Sequence, residues 1–212
     1  MRPLKITSAL LVLAFASFAS HHRSNPHNGQ AGVFDYYLFV LSWSPEFCHS
    51  KPNAAECNKQ TGFVVHGLWP QNTSGSYPSN CATNQPAPSN SASLTGIMPI
   101  ELIPHEWQQH GTCSGLSGDA YLALIRKLYT SLTIPDRLKG PTSSFTWRPQ
   151  DLKHAFEGAN PQLKDPDIAV QLRGNYLNAV EICVSKGADP QPIACSNIKD
   201  APGGTFVVPP VR

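Results

Sequence analysis

Six cysteines behind an apolar leader constrain this chain more than any other feature. Arg2 and Lys5 open it, Ile6 to Phe18 is mostly apolar, and Ser17-Phe18-Ala19 puts small residues at a cleavage position. That order reads as a secretory signal peptide over residues 1–19, cut after Ala19. About 13 mostly apolar residues are too few for a bilayer-spanning helix, which takes roughly 20. Cys48, Cys57, Cys81, Cys113, Cys183 and Cys195 form an even set on an exported chain. They imply three disulfides made in an oxidising compartment, secreted or periplasmic. Spacing alone leaves the pairing open. No two cysteines have the CxxC spacing of zinc or redox motifs, which sets those classes aside.

Residues 20–33 are polar and glycine-containing, and read as a flexible mature N-terminus. Residues 34–212 then form one domain around one core, a size that buries enough surface to fold without staples. No later segment is apolar enough to span a membrane, so none is expected after signal cleavage. The formal charge is +2. Without Arg2 and Lys5, basic and acidic residues balance. A nonspecific polyanion binder would show a basic excess, so a polyanion here must be met at a local site. Asn72-Thr73-Ser74 is a glycosylation sequon, with meaning only in a eukaryotic host.

Asp35 to Trp43 is aromatic and β-branched and predicts a strand, stopped by Ser44-Pro45. Phe63-Val64-Val65 predicts a short strand with a turn at His66-Gly67. Residues 71–94, rich in Asn, Ser, Pro and Gly, form a long polar loop pinned by Cys81. Pro104 suits a first helical position, His105 to His110 follow, and Gly111 ends the helix. Ala120 to Leu132 repeats apolar residues at helical spacing. Gln150 to Phe156 predicts a shorter helix. Ile168–Leu172, Tyr176–Ser185 and Thr205–Val208 predict strands. No strand–helix alternation repeats. The expected fold is α+β, with a central antiparallel sheet carrying its helices on one side.

Of eight histidines, His21, His22 and His27 lie in the polar start, and His49 and His154 stand alone. His66, His105 and His110 keep chemically useful company. On a helix, Glu106 and His110 are four residues and about 40° apart, and Gln109 is about 60° from Glu106. These three are expected to form one polar cluster. His105 and His110 are five apart, so the string is H-E-x-x-x-H. A zinc hydrolase needs H-E-x-x-H, which places both histidines on one face. No metal or other cofactor is therefore expected. His66 and His110 each precede a glycine, which would open the ring to a substrate.

Phe63-Val64-Val65-His66-Gly67-Leu68-Trp69-Pro70 and His105-Glu106-Trp107-Gln108-Gln109-His110-Gly111-Thr112-Cys113 resemble the two active-site segments of the ribonuclease T2 family. Leu41 to Cys48 and Ala179 to Cys183 are similar to its first strand and its C-terminal core strand. The resemblance runs from about Tyr36 to Lys186. It implies an α+β endoribonuclease that cuts single-stranded RNA through a 2′,3′-cyclic phosphate, with no metal and limited base preference. It assigns His66 as general acid, His110 as general base, His105 as a phosphate contact and Glu106 as electrostatic support. Trp69 and Tyr77 become base-binding aromatics. The pairs Cys48–Cys57, Cys81–Cys113 and Cys183–Cys195 follow from the order of similar bonds in the family. The expected partner is single-stranded RNA, and the expected state a monomer.

One position departs from the family. A lysine commonly precedes the last histidine, and this chain has Gln109. Glutamine donates a hydrogen bond but brings no charge to a developing phosphorane. The competing class is a secreted RNA-binding or structural protein on the same scaffold with weak or lost catalysis. The intact His66, His105 and His110 set argues against it.

Overall fold

The computed structural model describes residues 29–81 and 84–211. The leader and residues 20–28 lie outside the described residues. In chain order the main elements are β1 (Tyr36–Trp43), α1 (Ser44–Ser50), β2 (Phe63–Gln71), α2 (Ile103–Gln109), α3 (Gly118–Ser131), β3 (Phe145–Trp147), α4 (Pro149–Ala159), β4 (Ile168–Arg173), β5 (Tyr176–Ser185) and β6 (Phe206–Val208). The sheet runs β2-β1-β5-β6-β3, with β4 also paired to β5. Pairing is antiparallel throughout except at Tyr176 and Val207, where β5 meets β6 in parallel.

β1 is the hub, buried on both faces, which explains its nearly unbroken apolar run. Side chains alternate along a strand. Tyr37, Phe39, Leu41 and Trp43 enter the main core with Ile103 and Trp107 of α2, Leu122 and Ile125 of α3, and Leu152 and Phe156 of α4. These three helices therefore cover one sheet face. Burying each large apolar side chain contributes about 1.5–3 kcal/mol. Tyr36, Leu38 and Val40 point the other way, into a smaller cluster with Ala179 and Cys183.

Several local readings change. β2 runs on through His66 and Gly67 to Gln71, and no turn follows the histidine. The irregularity there is a bulge, with a register shift between Val40 and Leu41 of β1. The extra residue re-aims the strand without ending it. Ser44-Pro45 stops β1 and also starts α1, because proline suits the first helical turn. The short strand β3 carries no clear sequence signal. Residues 29–33, at the end of the segment read as flexible, are tied down. The Gly32 amide donates to the Cys113 carbonyl at 2.9 Å, and Lys186 Nζ donates to the Gly32 carbonyl. Disulfides link Cys48 to Cys57, Cys81 to Cys113 and Cys183 to Cys195, the pairs that the resemblance implies. Among the described residues no helix is long and apolar enough to cross a membrane.

Candidate active site

The site forms where the β2 bulge faces the C-terminal end of α2. Ser42 pairs with Val64 across the strands, and its Oγ lies 2.9 Å from His66 Nδ1. On the other side of the ring, His66 Nε2 lies 3.5 Å from Glu106 Oε1, an ion pair whenever the imidazole is protonated. Trp69 Nε1 donates to Glu106 Oε2 at 2.7 Å. One carboxylate thus holds both the histidine and the tryptophan of β2. Glu106 is buried, and burial alone would raise its pKa. Hydrogen bonds from His66 and Trp69 and the nearby imidazoles outweigh that and lower it.

His110 follows α2 directly, and its amide donates to the Glu106 carbonyl at 2.9 Å. Its ring stacks on Trp69, with centroids 4.8 Å apart and planes at 22°. His66 meets the same indole at 80° and 5.5 Å. His110 is only 7% exposed, and its Nδ1 has no hydrogen-bond partner among the described residues. Burial pushes its pKa down to about 4. Glu106 opposes the shift, and the charges of His105 and His66 add to it. The His110 imidazole is therefore neutral at neutral pH.

Two glycines make this packing possible. A Cβ at Gly67 would overlap Glu106 Oε2 and Trp69 Nε1, and one at Gly111 would overlap the Trp107 ring. The space beside each glycine is thus filled by the protein's own side chains. The expected cluster of Glu106, Gln109 and His110 also divides. Gln109 turns to the loop, where its Oε1 accepts from Asn80 Nδ2 at 3.0 Å and its carbonyl accepts from the Asn80 amide at 2.9 Å. The Cys81–Cys113 bond anchors that contact next door. His105 is exposed on α2 and reaches His110 through charge. Tyr77, 46% exposed, tilts toward His110 with centroids 6.2 Å apart.

Ser42 and Asn80 are not singled out by the sequence. Strand alternation places Ser42 on the face of Leu38 and Val40, a polar residue closing an apolar row, which is the one available signal. Among the described residues no group of three or more His, Cys, Asp or Glu is placed to hold a metal ion.

The family model for the ribonuclease T2 family matches residues 34–195. A ribonuclease of Aeromonas hydrophila is 38% identical over 175 residues, covering 80% of each chain. Ribonuclease DdI of Dictyostelium discoideum is 31% identical over 213 residues, covering 87% of this chain and 89% of the relative. An RNase-related protein from Calystegia sepium has the same fold at 23% identity, with a TM-score of 0.66 over 84% of this chain and 98% of its own. Agreement in sequence across most of the chain and in the path of the sheet and helices has one meaning: this chain belongs to the ribonuclease T2 family, and it is a ribonuclease.

Proposed function

We propose that this ribonuclease is an endonuclease that cleaves single-stranded RNA by transphosphorylation through a 2′,3′-cyclic phosphate. One observation carries the reading: two imidazoles packed around one indole in opposite electrostatic settings. RNA supplies its own nucleophile, the 2′-OH. His110, neutral through burial, takes the proton from that hydroxyl. His66, its Nε2 3.5 Å from the Glu106 carboxylate, gives a proton to the departing 5′-oxygen. The roles reverse when water opens the cyclic phosphate. Imidazoles suit both transfers near neutral pH. Exposed His105 supplies a phosphate contact, and Gln109 one amide close by. Trp69 positions His110 and Glu106, and the exposed Tyr77 ring beside His110 stacks a base. Stacking accepts any base, in keeping with low base preference. Three disulfides suit work outside the cytoplasm.

The test is incubation with unstructured RNA in excess EDTA, followed by end analysis. Cleavage to 2′,3′-cyclic phosphate ends is expected, with chelation leaving the rate unchanged. Ends bearing a 3′-hydroxyl, or an absolute need for a divalent ion, would overturn the mechanism. RNA binding without any cleavage would place the chain in the competing, non-catalytic class.

A further inference from the structure

A cavity of about 860 Å³ opens beyond the end of β1, and none of His66, Trp69, Glu106 and His110 lines it. It lies between α1, the start of β5 and the C-terminal segment. Glu46 and Glu56 stand in its wall and are only 5% and 7% exposed. Glu56 Oε1 accepts from Ser44 Oγ at 2.7 Å. Among the described residues Glu46 Oε2 receives no hydrogen bond. Arg173 Nη1 stands 3.5 Å from it and donates at 2.9 Å to Ser50 Oγ. Thr61 Oγ1, also in the wall, is likewise buried without a partner. Buried acceptors left without donors are costly, and a ligand that donates hydrogen bonds would relieve them. His49 and Tyr176 complete the wall. Their rings lie within 22° of parallel with centroids 6.4 Å apart, and Tyr176 is 46% exposed.

These groups select a flat ligand with N–H donors on one edge. Paired carboxylates repel a phosphate, so a base and not the backbone would enter. We propose that this cavity is a distal subsite for a nucleobase of the RNA strand, taking guanine in preference to the others. Guanine presents two neighbouring N–H donors, N1 and N2, on its Watson–Crick edge, which one carboxylate accepts together. Adenine and cytosine set a ring acceptor beside their amino group, and uracil has a single N–H there. Aromatic stacking with edge-on hydrogen bonding is how unpaired RNA bases are held. The location fits one continuous strand. Ser42, the partner of His66, pairs with Ala179 of β5, three residues and about 10 Å from Tyr176. The proposal rests on the RNA-cleaving reading above.

The experiment compares cleavage of UpU with cleavage of UpU extended by guanosine or by uridine on either side, using the full chain. The guanosine extension is expected to lower KM about tenfold relative to uridine. Tyr176→Ala and Glu46→Gln should each abolish that preference while retaining UpU cleavage. The exposed tyrosine keeps the test open if Glu46→Gln fails to fold. Equal KM values, or a preference that survives Tyr176→Ala, would overturn the subsite. So would NMR shifts at His49 and Tyr176 caused by free arginine and not by guanosine, which would mark a guanidinium site for a protein partner. A parent enzyme that leaves UpU intact would instead refute the RNA-cleaving reading itself.

Discussion

His66 and His110 both precede a glycine, yet the fold builds two different groups from them. His66 stands in a bulged strand, with 39% of its side chain exposed and both ring nitrogens facing a polar neighbour. His110 sits at a helix end, 7% exposed, pressed on Trp69 with Nδ1 unpartnered. A carboxylate stands beside the one ring, and burial disfavours a proton on the other. Two histidines are thus set apart with no difference in residue type, only in burial and in which neighbour reaches the ring.

Removing one side of this pair is the harshest test. His66→Ala should lower kcat by ~10²-fold or more while leaving the melting temperature nearly unchanged, because the ring is half exposed. Near-normal turnover would remove His66 from the mechanism. His105→Ala, by contrast, should show its effect in KM, as a lost phosphate contact. Blurring the two settings comes next. Trp69→Phe deletes the donor to Glu106 Oε2 and should cost about 1–3 kcal/mol in urea unfolding. It should also cost roughly tenfold in kcat as both imidazoles loosen. A loss of stability with intact kcat would confine Trp69 to packing. The smallest change is expected at the position that departs from the family. Gln109→Lys brings a cation beside the phosphate but breaks the contact with Asn80. The gain in kcat should stay near threefold. An unchanged kcat would mean that position 109 serves only the loop.

Much of this contrast was legible in the sequence, and the rest was hidden for physical reasons. β1, α3 and β5 announce themselves because long apolar patterns have a period. His66, Glu106 and His110 stand out by their strings. The length of β2 did not, because His66-Gly67 looks like a turn when the partner strand is unseen, and a bulge is a property of two strands. Helical angles put Glu106 and His110 on one side, and both meet Trp69 in the fold. They could not foresee that Asn80, on a loop tied by Cys81–Cys113, draws Gln109 away. Ser42 was invisible for the same reason, since its meaning comes from a ring on the neighbouring strand. The surroundings of Trp69 also emerge only from the fold: one face of its indole stacks on His110 and its Nε1 donates to Glu106.

The division of labour stands or falls on His110 being neutral through burial. In the folded chain its pKa lies at about 4 against an ordinary value of 6.5. The folded state therefore binds this proton less readily than the unfolded chain. Stability from this source is complete above 6.5 and declines as pH falls toward about 4, so the fold must be verified by circular dichroism at each acidic point. The decisive measurement is kcat/KM for UpU across pH 3 to 8, because this ratio reports the free enzyme. With His110 as the buried base, the acid side of the profile should show no fall until about pH 5. It should then drop through an acid limb near 4, about tenfold per pH unit below it. An acid limb near 6.5, with the fold intact, would show an ordinary solvated imidazole and contradict the assignment of His110 as the neutral base.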